Sequence, residues 1–336
     1  MQVVVIGAGY WGKNLIRTFN NLGVLTAVFD LNEELLEKYR NDPMYSGVEF
    51  GTDYTECLER WNIQGFIVAT PPDTHYSIAK TILNADRHVF IEKPMTLDEE
   101  TSKELVTLAK NKNKILMVGH IFLYSPEIIK LKEIISSKDF GEIQYAYTQR
   151  LNLGKIQDCG VIMDLAPHDV SILDYLFEDI CEGVKTTAGS NIVNGIEDIA
   201  FITLRYRKGI LAHLHLSWLD PLKVRNTIVV GTKQMVVCDS GTKKIDIYNT
   251  SVDIEKRAHK SNSSYAAHLL SYIHGDVVSP FISNGEPMKT EAEEFLKCIK
   301  EDRQPLADGE LGLSVVKTVS AMRQSMLSNG EWVEIK

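Results

Sequence analysis

The sequence predicts an α/β fold that begins with a doubly wound parallel sheet and continues into an α+β part with a mainly antiparallel sheet. In the first third of the chain, short apolar runs alternate with amphipathic segments, which is typical of βαβ units. Beyond about residue 120, apolar runs follow one another with few helical segments between them. Because single cores stop growing beyond ~250–300 residues, the 336 residues predict two domains, 1–120 and 121–336.

The individual elements follow from the hydrophobic periodicity. Strands are predicted in the first domain near 2–7, 24–30, 47–50, 65–70, 87–91 and 114–119, with helices near 11–22, 32–40, 54–61, 74–84 and 98–111. In the second domain, strands are predicted at 144–152, 199–206, 210–217, 224–231 and 235–239, with hairpin turns at 207–209 and 231–234. Helices are predicted near 160–177, 288–301 and 310–327, and the polar segment from Asp253 to Ser264 is predicted to be a surface loop.

The first predicted strand leads directly into a glycine motif. Gly7, Gly9 and Gly12 have G-x-G-x-x-G spacing between a buried strand and a helix, the context in which this motif binds a dinucleotide. Gly7 permits a tight turn, Gly9 lets the backbone approach a pyrophosphate, and Gly12 lets the helix pack close to the strand. The N–H groups at the helix start then face the pyrophosphate. The intervening loop residues belong to the predicted cofactor site: Ala8, Tyr10 and Trp11.

Asp30 ends the second predicted strand and favours NAD over NADP. A carboxylate at this place accepts hydrogen bonds from the adenosine ribose hydroxyls and repels a 2′-phosphate. Leu31 and Asn32 follow, so no adjacent cation offers that phosphate a partner. The alternative is that Asp30 only caps the helix that begins near Asn32.

Three further predicted strands end in polar residues, where ligands of such sheets bind. The fourth ends before a loop expected beside the nicotinamide half of the cofactor, with Thr70, Pro71, Pro72 and His75. The fifth ends in Glu92 and Lys93, and the sixth in Gly119 and His120. Charged groups at the end of a buried strand are costly unless paired or used. As an ammonium, Lys93 can hydrogen-bond a sugar hydroxyl and stabilise a developing alkoxide. A surface pair of Glu92 with Lys93 and a structural His120 are the alternatives.

The predicted helix near 160–177 carries Asp164 and His168 four residues apart, which places them on one helix face. A carboxylate beside an imidazole orients it and raises its pKa, as a general base requires. Pro167 disturbs this pattern, because proline fits the first turn of a helix or kinks it. The alternative makes Asp164 a helix cap and His168 an ordinary buried residue.

Composition and charge exclude several classes of function. The net charge of −9 and the absence of a basic run argue against nucleic acid and anionic membranes as partners. The five cysteines form no C-x-x-C pair, so neither a metal site nor a disulfide framework is predicted. No apolar stretch reaches the ~18 residues of a membrane span, and the first strand begins at residue 2. A cytoplasmic protein is expected.

Together, these segments resemble the Gfo/Idh/MocA oxidoreductase family. The matching segments are 7–12, 69–72 with His75, 92–94, 119–120, Asp164 with His168, and 295–299 with 303–306. The resemblance implies a Rossmann domain, an open-faced sheet that often builds a dimer or tetramer, and NAD as cofactor. It also implies that Lys93 and His168 work at the substrate carbon, with Asp164 beside them.

Segments 119–126, 150–154 and 164–169 resemble more narrowly the branch that oxidises the C3 hydroxyl of UDP-N-acetylglucosamine or its uronic acid. Ala166 departs from the glycine common in the family. On this resemblance, His168 takes the hydroxyl proton, Asp164 holds the imidazole, and Lys93 bonds the same oxygen. The residues expected to hold the substrate are Tyr124, Arg150 and Asn152.

Three alternatives stay open: a dehydrogenase of a free polyol or sugar such as inositol, an NAD-dependent glycoside hydrolase, and a non-catalytic NAD-binding module. Which of Lys93 and His168 takes the proton is also open. The crowding of Leu211, Leu214, Leu216, Trp218 and Leu219 further predicts a surface that pairs with a second copy, giving a homodimer or homotetramer.

Overall fold

The computed structural model of the chain describes residues 1–249, 251–254, 270–273 and 275–336. Most of the predicted surface loop from Asp253 to Ser264 lies outside the described residues, and its first two residues belong to a strand. The described residues form two compact units, 1–125 with 285–320 and 126–284 with 321–336. This division differs from the predicted one because residues 285–320 return to the first unit.

The first unit contains a six-stranded sheet whose paired strands are all parallel. Its strands are β1 (Gln2–Ile6), β2 (Leu25–Phe29), β3 (Glu49–Gly51), β4 (Ile63–Val68), β5 (His88–Glu92) and β6 (Leu116–Gly119), in the spatial order β3-β2-β1-β4-β5-β6. The connecting helices are α1 (Gly12–Asn21), α2 (Glu33–Arg40), α3 (Pro72–Asn84) and α4 (Glu99–Lys112). The predicted doubly wound sheet is confirmed.

The strand order reverses beside β1, which opens a crevice at the carboxyl ends of β1 and β4. The predicted helix at 54–61 is wrong, since only a short 3₁₀ turn forms at Tyr54–Cys57. Its two buried apolar residues, Cys57 and Leu58, are adjacent in sequence and therefore do not form a helical stripe.

The second unit is built on a nine-stranded, mainly antiparallel sheet. Its strands are β7 (Ile143–Leu153), β8 (Cys181–Gly189), β9 (Ile199–Tyr206), β10 (Leu211–Ser217), β11 (Leu219–Gly231), β12 (Met235–Asp239), β13 (Lys244–Tyr248), β16 (Val277–Val278) and β17 (Val333–Glu334), in the order β16-β13-β12-β11-β7-β10-β9-β8-β17. Strands β14 (Ser251–Ile254) and β15 (Leu270–Ile273) pair separately. Only β7 and β10 pair in parallel within the nine strands described.

Helices α5 (Pro126–Ile135) and α6 (Gly160–Phe177) pack in this second unit, and α5 and β8 were not predicted. One sheet face is buried, as at Ala146, Ala212 and Leu214, while the alternate positions are open. The predicted interface is therefore partly wrong, because Leu214, Leu216 and Trp218 are buried within the unit itself. Their side chains belong to the core.

Two helices lie near the C-terminal end of the sequence, α7 (Pro287–Glu301) and α8 (Gly309–Leu327), close to the predicted ranges. Helix α7 belongs to the first unit because its apolar face packs there. The ring of Phe295 lies edge-on to Phe90 at 5.8 Å, and a Cβ on Gly65 would come within 2.8 Å of it. Within the described residues, no helix is long and apolar enough to cross a membrane.

Candidate functional site

The glycine loop has the backbone geometry that its spacing predicts. Gly7 has φ +97°, and a Cβ there would lie 2.5 Å from the carbonyl oxygen of Ala69. A Cβ on Gly12 would lie 2.0 Å from the carbonyl oxygen of Gly7. No described atom lies within 4 Å of a Cβ on Gly9. Two of the glycines are therefore required by the fold itself, while Gly9 faces open space.

The start of α1 suits an anionic ligand. Its first turn contains no acidic residue, and the N-cap residue Trp11 makes no side-chain cap bond. Helix N-termini without such partners present N–H groups and a partial positive charge to phosphate. The open side of Gly9 and this uncapped helix start form a cradle that fits a pyrophosphate.

Asp30 is held firmly by backbone donors. The N–H of Ala8 donates to its Oδ2 at 2.6 Å, and the N–H of Asn32 donates to its Oδ1 at 2.8 Å. The carboxylate thus fixes both the glycine loop and the start of α2. The alternative that Asp30 only caps a helix does not account for its bond to the glycine loop. Each carboxylate oxygen has further lone-pair capacity for a ribose hydroxyl.

A cavity of about 840 Å³ lies in the first unit, at the carboxyl ends of its central strands. Gly9, Tyr10, Asp30, Thr70 and Pro71 are among its lining residues. Residues predicted for the adenosine side and for the nicotinamide side therefore line one cavity, as expected for a dinucleotide site at a topological switch point.

The loop after β4 is fastened to the segment that follows Lys93. Pro71 is the N-cap residue of α3 and Pro72 its first residue, where proline fits best. The His75 ring is buried, with Nδ1 2.9 Å from the carbonyl oxygen of Pro94 and Nε2 2.9 Å from that of Thr70. Burial lowers the pKa of His75. The ring joins two loops of the site, and its contact with the cofactor stays a prediction.

Glu92 lies at the end of β5 and is buried. Trp11 Nε1–H donates to its Oε1, and the backbone N–H of Lys93 donates to Oε2 at 3.2 Å. Burial raises the pKa of Glu92 to about 7, although the Trp11 and Lys93 hydrogen bonds and the Lys93 charge act in the opposite direction. The predicted surface pair of Glu92 with Lys93 is wrong, since Glu92 is not at the surface.

His120 and Tyr124 lie on the segment that follows β6, and both are buried. Burial, with the Lys93 charge, lowers the pKa of His120 to about 3, so its ring is neutral at physiological pH. Neither ring nitrogen of His120 has a hydrogen-bond partner among the described residues, so both nitrogens can bond to a ligand. The Tyr124 hydroxyl accepts the N–H of Ala307 at 3.4 Å, and burial raises its pKa.

Helix α6 carries the predicted acid–base residues of the second unit. It spans Gly160–Phe177, as predicted, and contains Pro167. All its residues are buried except four: Met163, Asp164, His168 and Tyr175. Asp164 and His168, four residues apart, are therefore partly exposed on one helix face. This burial pattern disfavours the interpretation of His168 as an ordinary core residue.

Arg150 and Asn152 lie near the end of β7, in the same unit. Arg150 is buried, and its Nε and Nη2 donate to Asp169 Oδ1 at 3.1 and 2.8 Å. Because Asp169 follows His168 directly, this ion pair anchors α6 to the sheet beneath it. Asn152, two residues farther along the strand, is partly exposed. Substrate contacts of Tyr124, Arg150 and Asn152 stay predictions.

Sequence reasoning missed two acidic residues that shape the site. Asp169 lies within the predicted motif 164–169 but was assigned no role. Glu197 holds the start of α6: its carbonyl oxygen accepts the N–H of Val161 at 2.9 Å, and a Cβ on Gly160 (φ +78°) would lie 2.1 Å from its carboxylate. The Asp-x-x-x-His-Asp spacing is a signal for the first, whereas nothing in the local sequence marks the second.

Two family models match the chain. The NAD-binding Rossmann-fold model of the oxidoreductase family matches residues 1–120, and the GFO/IDH/MocA C-terminal domain model matches residues 128–237. The chain belongs to the Gfo/Idh/MocA oxidoreductase family. Its cofactor is NAD, as Asp30 predicts.

Several known proteins are similar to this chain over nearly its whole length. The UDP-N-acetylglucosamine 3-dehydrogenase of Acidithiobacillus ferrooxidans is 25% identical over 96% of both chains, and its structure matches with a TM-score of 0.82. The myo-inositol 2-dehydrogenase of Thermotoga maritima is 24% identical over 97% of this chain and 96% of its own. A levoglucosan dehydrogenase in complex with NADH matches with a TM-score of 0.81 at 18% identity, over 100% of this chain and 99% of its own.

Proposed function

We propose that this family member is an NAD-dependent sugar dehydrogenase that oxidises the C3 hydroxyl of a UDP-linked amino sugar to the 3-keto sugar. The substrate is UDP-N-acetylglucosamine or its uronic acid. The partly exposed pair Asp164 and His168, on a helix that is otherwise almost wholly buried, carries the proposal, because it supplies an acid–base pair open to a substrate. The similarity to the UDP-N-acetylglucosamine 3-dehydrogenase over 96% of the chain supports the substrate.

NAD, when bound, accepts the hydride from the substrate carbon. The glycine loop and α1 hold its pyrophosphate, and Asp30 holds the adenosine ribose. In the proposed site, Thr70, Pro71, His75 and His120 surround the nicotinamide half, while Glu92 is bonded to Trp11 and Lys93. The neutral His120 ring offers one N–H donor and one acceptor there.

His168 takes the hydroxyl proton, since imidazole titrates near neutrality and is suited to a general base. Asp164 holds the imidazole, and Lys93 donates to the same oxygen and stabilises negative charge on it. Tyr124 and Asn152 belong to the proposed substrate site. Arg150 contributes through its ion pair with Asp169, which fixes the helix that carries His168.

The proposal is tested by incubating the protein with NAD and a panel of compounds and measuring NADH. The panel contains UDP-N-acetylglucosamine, its uronic acid, UDP-glucose, free N-acetylglucosamine and myo-inositol, the last because of the myo-inositol 2-dehydrogenase relative. NADH formation with one of the two UDP-amino sugars is expected. Formation only with myo-inositol contradicts the proposal, and aglycone release without net NADH indicates the glycoside hydrolase.

We also propose that the open face of the nine-stranded sheet pairs with a second copy, giving a homodimer or homotetramer. Phe201 stacks on His215 at 4.5 Å on this face, and Tyr145, Phe201 and Leu211 are between 43% and 49% exposed. Such a cluster on a sheet is typical of a protein–protein interface. Sedimentation of the native chain is expected to show at least a dimer, and Phe201→Glu is expected to shift it toward the monomer. A native monomer at micromolar concentration contradicts this.

A further inference from the structure

A single carboxylate links the glycine loop to the lysine proposed to act on the substrate. Trp11 lies in the loop between Gly9 and Gly12, and its Nε1–H donates to Glu92 Oε1. The backbone N–H of Lys93 donates to Glu92 Oε2. Glu92 is only 8% exposed, so neither bond competes fully with water. Residues that are more than eighty positions apart in sequence are thus held by one side chain.

The neighbouring strand leaves space for this carboxylate. Gly119 on β6 is the register partner of Glu92 on β5. A Cβ on Gly119 would lie 3.0 Å from the carboxyl carbon and from Oε2 of Glu92. A larger residue at 119 would crowd the Glu92 carboxylate, which gives a physical reason for the glycine in the predicted Gly119–His120 motif.

A second buried carboxyl group, that of Glu291 on α7, interacts electrostatically with the Glu92 carboxylate. Glu291 is 1% exposed, and its Oε1 has no hydrogen-bond partner among the described residues. Burial raises its pKa well above the ordinary value, and the charge of Glu92 raises it further. Both effects favour the neutral form of Glu291, whereas the Trp11 and Lys93 donors favour the ionised form of Glu92.

We propose that Glu92 is a positioning residue: its carboxylate ties the glycine loop, through Trp11, to the backbone of Lys93, and its charge sets how firmly the loop is held for the cofactor. The loop half of this proposal concerns NAD binding alone. The Lys93 half rests on the proposed function, in which that lysine acts on the substrate. This role differs from direct contact with the cofactor, because both Glu92 carboxylate oxygens accept hydrogen bonds from protein donors.

If the charge of Glu92 holds the glycine loop, the strength of that hold depends on pH in the cofactor-free protein. The groups that face Glu92 are the Trp11 indole, the Lys93 ammonium and the Glu291 carboxyl. Hydrogen bonds to an ionised acceptor are roughly twice as strong as neutral ones. Since the pKa of Glu92 is about 7, the loop is held firmly above pH 7 and loosely below it. NAD affinity is expected to fall about five-fold from pH 8 to pH 6, a factor set by the strength of one charge-assisted bond.

Two measurements without any sugar substrate test the proposal. The affinity for NAD is measured by calorimetry between pH 5.5 and 8.5 in the native protein, Glu92→Gln and Trp11→Phe. The indole emission of Trp11 is followed over the same range in the cofactor-free protein, as the difference between the native protein and Trp11→Phe. Glu100→Gln, an exposed glutamate of α4, is the matched control and is expected to keep the native profile.

Glu92→Gln keeps the shape but removes the charge, so its NAD affinity and Trp11 emission are expected to be independent of pH near 7. Trp11→Phe removes the donor through which Glu92 holds the loop, so its NAD affinity is expected to lose the pH dependence near 7 as well. A native pH profile in Glu92→Gln overturns the proposal. If Glu92→Gln does not fold, a native pH dependence of NAD affinity in Trp11→Phe overturns it instead. A protein that oxidises no UDP-sugar but shows these changes in pH dependence refutes the proposed substrate and leaves the loop-positioning role standing.

Discussion

The glycine loop of the first unit and helix α6 of the second unit are both proposed to be functional elements, but they are built differently. In the glycine loop, the decisive features are missing side chains: the Cβ positions at Gly7 and Gly12 are occupied by backbone. In α6, the decisive features are side chains, because Asp164 and His168 are partly exposed where nearly every neighbour is buried. A site made by backbone is visible in the residue spacing, whereas a site made by side chains depends on what packs around it.

The two elements have separate supports. The loop is held by backbone contacts, by Asp30, which accepts the N–H of Ala8, and by Glu92, which accepts the indole N–H of Trp11. Helix α6 is held by residues distant in sequence, Arg150 through Asp169 and Glu197 at the helix start. Substitutions in the loop should therefore affect NAD binding, and substitutions around α6 should affect turnover or stability.

The largest effect is expected for His168→Ala. Removing a general base typically lowers turnover by ~10²–10⁴-fold, while NAD binding should stay unchanged because the glycine loop is intact. Lys93→Met should also lower turnover, and the two losses should not add, since both residues are proposed to act on one oxygen. Steady-state rates, NAD affinity and melting temperature are measured on each variant, with Tyr175→Phe on the same helix as the control. A near-native rate for His168→Ala removes this residue from the mechanism and leaves the proton to Lys93.

The next largest effect is expected on stability, when the Arg150–Asp169 ion pair that anchors α6 is broken. Asp169→Asn leaves the buried Arg150 guanidinium without its carboxylate, and breaking a buried pair in this way costs about 3–5 kcal/mol. Urea unfolding should show this loss in the free energy of unfolding. Glu133→Gln breaks the exposed pair with Lys130 and should cost less than about 1 kcal/mol. Equal small losses in both variants would show that Asp169 does not anchor the helix.

The third test separates two glycines of one loop. Gly9→Ala meets no described atom within 4 Å, so it should keep the native melting temperature and weaken NAD binding by about ten-fold, roughly 1.4 kcal/mol. Gly12→Ala places a Cβ 2.0 Å from the Gly7 carbonyl oxygen, so both melting temperature and NAD affinity should fall. Thermal melts and calorimetry on the pair distinguish these outcomes. Native NAD affinity in Gly9→Ala would show that the cofactor does not approach this glycine.

The smallest effect is expected for Asp30→Ala. Removing the carboxylate removes the repulsion of a 2′-phosphate, so the ratio of NAD affinity to NADP affinity should fall. The fall should be only a few-fold, because the substitution adds no cation to bind the phosphate. The affinity for both cofactors is measured by calorimetry on the native protein and the variant. Tighter binding of NADP than NAD by the native protein would contradict the assignment of Asp30.

Much of the fold was predictable because local patterns determine it. The six parallel strands, α6 and the two C-terminal helices lie within a few residues of their predicted ranges, since periodicity and glycine punctuation are local signals. The helix at 54–61 failed because its apolar residues lack helical spacing. Strand β8 and helix α5 were missed, and the interface prediction failed at Leu214, Leu216 and Trp218 because an apolar run does not reveal which sheet face is covered.

By itself, the sequence determined the α/β class, the glycine loop, NAD as the cofactor and the shared helix face of Asp164 and His168. Each of these depends on spacing along one segment, which the backbone geometry of a strand, turn or helix converts directly into position. Only the tertiary structure decided that Glu92 is buried against Trp11, that Arg150 is paired with Asp169, and that Glu291 is a second buried carboxyl. These features join residues far apart in the chain, and their charge and hydrogen bonding depend on burial, which no local pattern specifies.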